Sequence, residues 1–497
     1  MASRKTVASL CIVVMVVAGS FLAYQFYFAS GTSACGVIAG GSISRSKTTQ
    51  TTFGAVTEYR LPSVDRWSDA VTAASDGSVW FAEQEVPGVA HLYPNNGTLV
   101  EYAWPGYPTP KPPDCLPSAS VSGIAVWNGR VWAADQFSNT IIGIDPNGGP
   151  VQVVNTTGKA DFPYWLAVGP DDALWFTSNN TPARLGRIQS DMTLSVVNLE
   201  GLGADEPLQL EFVNSTLAYM TALNQSANST THVCVCNGHV YSFDPSSAST
   251  TLTPTKVGGH FNLILPTSAS YASGVIYVAQ HGASNLMAYD LANSRWTAYP
   301  TSRVPWTNTT LPLLVEASDS QIWFNEHLAN KIGLLNPSTG VLTEYSESDP
   351  PATNYTGVQN DLSIAASPAG LWFTSTSGNY VGFVNPNQDP GLHVTILGAD
   401  SASLAPGANV TFSLKVTGTW SAAMRVSVSD SENYQSVPSL IRIIPSVDSI
   451  GQGVKAPVDL NVTVAAGQAV RAGDYTVAVT ITDGYVQQTA YLFITVD

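Results

Sequence analysis

Short apolar runs, too brief for helices, recur along residues 56–388. Polar turns with Asp-Gly, Asn-Gly and Thr-Gly separate them, as in hairpins. One run in each cycle carries an aromatic anchor. The clearest is Val79-Trp80-Phe81-Ala82-Glu83, behind the turn Ser75-Asp76-Gly77-Ser78. It recurs as Val131-Trp132-Ala133-Ala134-Asp135, Leu174-Trp175-Phe176-Thr177, Ile322-Trp323-Phe324-Asn325-Glu326 and Leu371-Trp372-Phe373-Thr374. Weaker copies carry Tyr219 and Tyr277. The seven anchors are spaced by 52, 43, 44, 58, 46 and 49 residues. An apolar run precedes each anchor, as in Gly123-Ile124-Ala125-Val126. A third follows most of them and ends in Asp-Pro or Asn-Pro, and a fourth follows, as in Val341-Leu342-Thr343-Glu344-Tyr345. Four short strands per cycle is the period of a propeller blade, so seven blades are expected. Residues 56–60 match the fourth-strand pattern but precede the first full cycle. They are expected to supply the outer strand of blade seven and close the ring.

From residue 389 the texture changes to longer strict alternation. Val410, Phe412, Leu414 and Val416 alternate with polar residues, as do Leu460, Val462 and Val464, and Tyr475, Val477, Val479 and Ile481. This reads as half-buried strands of an immunoglobulin-like or fibronectin-like sandwich over 389–497. Ala472-Gly473-Asp474-Tyr475 resembles a tyrosine corner.

The first residues follow a third pattern. Arg4 and Lys5 precede an apolar run, residues 7–28, long enough to span a bilayer as a helix (22 residues, about 33 Å). Its length favours an uncleaved anchor with a cytoplasmic N-terminus. A signal peptide cut near Ala29 or Ala34 is the alternative, giving a secreted protein. The domain expectation is therefore an anchor or signal segment over 1–30, a Ser/Thr-rich linker over 31–55, a propeller over 56–388 and a sandwich over 389–497. The fold class is all-β apart from one N-terminal transmembrane helix.

Composition sharpens this reading. The chain of 497 residues carries 20 Lys+Arg against 36 Asp+Glu, a formal charge of -16, which excludes a basic nucleic-acid-binding stripe. An outward topology gives meaning to ten Asn-X-Ser/Thr acceptors: Asn96, Asn155, Asn179, Asn214, Asn224, Asn228, Asn308, Asn354, Asn409 and Asn461. It also permits disulfides among Cys35, Cys115, Cys234 and Cys236, with three connectivities open.

The repeats Trp-Phe-Ala-Glu at 80–83, Trp-Phe-Asn-Glu at 323–326, Ile-Gly at 332–333 and Thr-Glu-Tyr at 57–59 and 343–345 resemble the virginiamycin B lyase (streptogramin lyase) propeller family. The resemblance covers roughly residues 56–388 and implies the propeller. It also implies an activity in which a base removes a proton beside a carbonyl while magnesium stabilises the enolate, opening a cyclic ester. In a propeller the residues three and four places after each anchor lie on one face. They include Glu83, Asp135, His281, Glu326 and His327. Under the enzyme reading His281 or His327 is the base, and Glu83 and Glu326 hold magnesium. Asp69, Asp135, Tyr164, His260 and Asp361 are further candidates on the ligand-binding face. The reading preferred is a surface-anchored propeller that binds an extracellular small molecule, a glycan or an envelope protein. In it the residues at the blade ends simply bond neighbouring blades. A metal-dependent carbon–oxygen lyase is the alternative.

Overall fold

A computed structural model describes residues 36–37, 42–62, 68–83, 88–104, 108–109, 121–224, 237–259, 263–301, 310–318, 320–347, 361–376, 378–418, 423–430, 440–451, 457–482 and 486–497. Among them no helix is long and apolar enough to cross a membrane. The anchor expected at 7–28 lies outside the described residues.

Seven antiparallel meanders form over residues 56–384. Their first strands are Ser68–Ala73, Val121–Trp127, Pro163–Val168, Glu206–Asn214, Pro266–Ala272, Pro312–Ser318 and Asp361–Ser367. Each first strand touches the next, and the seventh touches the first, so the sheets radiate from a closed ring of inner strands. That arrangement is a β-propeller. We number the sheets one to seven in the order of these strands.

The aromatic anchors explain why the sheets stack. Side chains alternate across a strand, so an anchor and its successor face opposite neighbours. Trp80 packs with Val121, Ile124 and Ala133 of sheet two, whereas Phe81 packs with Trp372 and Val381 of sheet seven. Trp323 faces sheet seven through Leu371 and Phe373, and Phe324 faces sheet five through Tyr277 and Ala279. The glycine recurring in the third strands also has a steric cause. The rings of Phe176, Phe324 and Phe373 lie directly over Gly186, Gly333 and Gly382 on the adjoining strand, where a Cβ would come within about 2 Å of the ring.

Val56–Arg60 pairs with Tyr380–Val384, so the ring closes through the N-terminal strand as the pattern predicts. The linker expectation for 31–55 needs correction. Ser42–Lys47 adds a fifth strand to sheet one, beside Thr98–Ala103, and Thr49–Phe53 adds one to sheet seven, beside Val56–Arg60. A Ser/Thr alternation suits an exposed edge strand as well as it suits a linker. Residues 225–236, between the second and third strands of sheet four, lie outside the described residues.

The C-terminal region is a two-sheet sandwich. Leu392–Leu397, Asn409–Gly418, Val458–Ala466 and Ile441–Pro445 form one sheet, and Met424–Asp430, Gly473–Thr482 and Val486–Val496 carry the other. Val416, Leu460, Val477 and Leu492 fill the core between them. The Tyr475 hydroxyl donates to the carbonyl of Arg471 at 2.7 Å, the bond expected of a tyrosine corner. One feature is absent from the sequence pattern. Val486–Val496 also pairs with Val341–Ser346, so sheet six of the propeller runs on into the sandwich.

Candidate functional site

The ends of the second strands hold the candidate side chains, and several side chains at these positions shape turns or bond a neighbouring sheet. Asp135 is fully buried and accepts from the backbone N–H of Phe137 at 3.1 Å and from the Ser138 hydroxyl at 2.7 Å, which shapes the turn behind it. Gln280, at the same repeat position, accepts from the N–H of Ile264 at 2.7 Å and donates to Asn285 at 2.6 Å. One residue later the side chain reaches the next inner strand. Asn179 donates to the carbonyl of Pro207 at 3.2 Å, and Thr376 donates to that of Ser68 at 2.8 Å. Asn179 is 5% exposed, and its amide nitrogen, the atom a glycan would join, is the one bonded to Pro207.

The structure brings His281 and His327 together. They come from sheets five and six, and their rings stand edge to face with centroids 5.5 Å apart. Both are buried. Burial first, and then the neighbouring His327, lower the pKa of His281 to about 3, with the carbonyls of Pro312 and Leu311 opposing. His281 is therefore neutral at ordinary pH.

Glu326 belongs to a different cluster. It is fully buried, and its carboxyl is pushed well upward by burial and by Glu344, while Lys331 opposes the shift. Lys331 Nζ lies 3.8 Å from Glu344 Oε1 and 3.4 Å from Gln487 Oε1, and Gln487 donates to Glu344 Oε2. This cluster ties sheet six to the last sandwich strand. Glu83 ends the second strand of sheet one, opposite Ser68, and is also buried. The two carboxyls expected to bind magnesium are thus in different sheets, and one already faces an ammonium. Among the described residues no group of three or more His, Cys, Asp or Glu is placed to hold a metal ion. This donor set does not fit a divalent cation.

Asp69 and Tyr164 start the inner strands of sheets one and three. Both burial and the charge of Asp69 raise the pKa of the Tyr164 hydroxyl, so the two side chains sense each other near the axis. Asp361 starts the inner strand of sheet seven, opposite Ser375. His260, Cys35, Cys115, Cys234, Cys236 and Asn228, Asn308 and Asn354 lie outside the described residues. Asn96, Asn155, Asn214, Asn409 and Asn461 are exposed, and Asn224 is half-buried.

The ring of inner strands encloses an axial cavity of about 330 Å³. An inner strand has no sheet partner on its axial side, so its N–H groups there need other acceptors. In part of the ring the preceding sheet supplies them. Gln209 accepts from the N–H of Ala269 at 3.0 Å, Ser268 from Val315 at 3.1 Å, Ser270 from Ala317 at 2.9 Å and Ser363 from Val71 at 3.2 Å. Two carboxylates do the same work. Glu211 accepts from the N–H of Tyr271 at 3.2 Å, and Glu316 accepts from that of Ala366 at 2.9 Å. Burial raises each to about 7, and Glu316 adds to the shift of Glu211. They stand apart from the histidines. Glu316 is four residues along its strand from Pro312, which adjoins His281, so about 13 Å separates the two levels. Reading the strand ends misses this pair. The available signal was an acid inside an apolar run at one repeat position, in Leu210-Glu211-Phe212 and Val315-Glu316-Ala317.

Neither a protein-family model nor a curated protein matches the sequence. Solved structures do match. Virginiamycin B lyase from Staphylococcus aureus is 18% identical, with 66% of this chain and 98% of that one covered and a TM-score of 0.48. BamB from Moraxella catarrhalis is 11% identical, covering 71% and 99%, with a TM-score of 0.39. A chain of the nidogen/laminin complex is 13% identical, covering 52% and 89%, with a TM-score of 0.37. At these identities no activity passes from those proteins to this one. The strand pairings and the closed inner ring make this chain a β-propeller protein whose sixth sheet continues into a C-terminal β-sandwich.

Proposed function

We propose that the protein is a surface recognition module. In this reading residues 7–28 anchor it in a membrane with the N-terminus cytoplasmic. The seven sheets act as the seven blades of a propeller that faces outward, and the C-terminal sandwich is immunoglobulin-like. The propeller binds an extracellular small molecule, glycan or envelope protein. One observation carries this over catalysis. Among the described residues no group of three or more His, Cys, Asp or Glu is placed to hold a metal ion, the Glu326 carboxyl meets Lys331 and Glu344, and Glu83 lies in sheet one. Such a set holds blades together and leaves the ring free for binding.

A second reading, a magnesium-dependent lyase that opens a cyclic ester or lactone, keeps one observation in its favour: two buried histidines from adjacent sheets. A thermal melt of the full chain in EDTA and then in millimolar magnesium separates the two. A ligand that binds only the native state raises the midpoint. The recognition reading expects no change. A rise that disappears in Glu326→Ala would replace it with the lyase reading.

A further inference from the structure

The axial cavity holds two carboxyl groups with no cationic side chain on its described wall. One acceptor oxygen suffices to cap an inner-strand N–H, and serines do it at Ser268, Ser270 and Ser363. At the equivalent task Glu211 and Glu316 bring carboxyl groups, which can carry a negative charge where serine cannot; Glu211 shares the Tyr271 N–H between both oxygens. They sit on one arc. Ser270 donates to Glu211 at 3.3 Å, and the same hydroxyl receives the N–H of Ala317, the residue after Glu316. Glu344, buried in sheet six, has the Lys331 ammonium 3.8 Å away. Among the described residues that line the axial cavity there is no Lys, Arg or His. In a ring of seven, sheet six lies across from sheets two and three. Their share of the wall is Ser122, Ile124, Trp165, Ala167 and Val168. The cavity therefore has two carboxyls on one side and a mainly apolar wall with one indole on the other.

We propose that the axial cavity binds an organic ammonium ion, with its charge at Glu211 and Glu316 and its apolar body against Trp165 and Ile124. This rests on the recognition reading and names its ligand class. An ammonium supplies the missing counter-charge and can donate to carboxylate oxygens. The indole of Trp165 suits a cation or the alkyl or aryl group beside it. A bare divalent ion is a poorer occupant, because it wants six or more oxygen ligands and only two carboxylates converge here.

The test is calorimetric titration of the full chain with phenethylamine, beside its neutral isostere 2-phenylethanol and beside magnesium chloride. Saturable binding by the amine, with the alcohol weaker by about tenfold or more, is expected. Glu316→Gln and Glu211→Gln are each expected to weaken the amine by about tenfold. Should either variant fail to fold, the unaltered protein still decides. Its affinity for the amine should fall as the pH drops from about 8 to about 6, because protonation removes the charge. Equal binding of amine and alcohol, tighter binding of magnesium than of amine, or no binding by the amine at about ten millimolar, a concentration that detects even weak sites, would overturn the assignment. A failed titration with an unchanged magnesium melt removes only the cavity ligand. A magnesium-dependent rise in the melt removes the recognition reading itself.

Discussion

Gly333 shows how much one missing Cβ decides. The Phe324 ring occupies the space that a side chain at 333 would take, at 2.2 Å from an ideal Cβ. Gly333→Ala should lower stability by about 1–3 kcal/mol, the usual cost of overpacking, read as a drop in urea midpoint at unchanged slope. The axial acids give a pH signature. Glu211 and Glu316 rise from 4.5 to about 7 on folding, so between those values the native state binds protons that the unfolded chain has released. Their stabilising effect is complete below about 4.5 and is lost as the pH rises through about 7. His281 works with the opposite sign, since its pKa falls from 6.5 to about 3 and its effect is lost as the pH drops through that window. Glu316→Gln should therefore flatten the decline in melting temperature between about pH 5 and 7 without changing the acid limb. At this scale the sequence was legible where chemistry and position coincide, as at Trp80 and Trp323. It was not legible at Glu326, because residue type alone does not say that Lys331 and Glu344 will meet it.

The strand is the scale at which sequence served best. Period-two alternation and turn chemistry place nearly every strand, and the Val56–Arg60 match finds the ring closure. The additional strands Ser42–Lys47 and Thr49–Phe53 escaped because their Thr49–Phe53 half is wholly exposed and leaves no hydrophobic imprint. These two layers should differ in energetic weight. Thr57 lies between Phe383 on one side and Thr52 on the other, whereas Thr51 pairs on one side only. Thr57→Pro should lower the melting temperature more than Thr51→Pro does, and limited proteolysis of the first should cut near sheet seven. Equal shifts would mean that closure does not depend on that strand. The fourth sheet is irregular for a visible reason. Thr251–Leu252 leaves to pair in parallel with Leu194–Leu199 of sheet three, and Thr255–Lys256 takes its place beside Asn237–Phe243.

For the whole molecule the decisive contact is between sheet six and the sandwich. Lys331, Glu344 and Gln487 lie buried across it, and Tyr491 reaches from the sandwich to the carbonyl of Pro300 at 2.6 Å. Lys331→Met leaves Glu344 without its ammonium. It should cost about 3–5 kcal/mol, as breaking a buried pair does, and split a single thermal transition into two. A single transition at the wild-type midpoint would show that the cluster does not couple the domains. Sequence periodicity had no means of predicting this junction, since Val341–Ser346 and Val486–Val496 each read as an ordinary strand, and register between distant strands is not written in either one. The same pairing sets a clock during synthesis. About 140 residues separate Ser346 from Val486, so at ~5–20 residues per second the outer edge of sheet six waits roughly 7–30 s for its partner. Through that interval the nascent propeller offers an uncovered strand of six residues to any neighbouring chain, which makes ribosome spacing and chaperone access determinants of its yield.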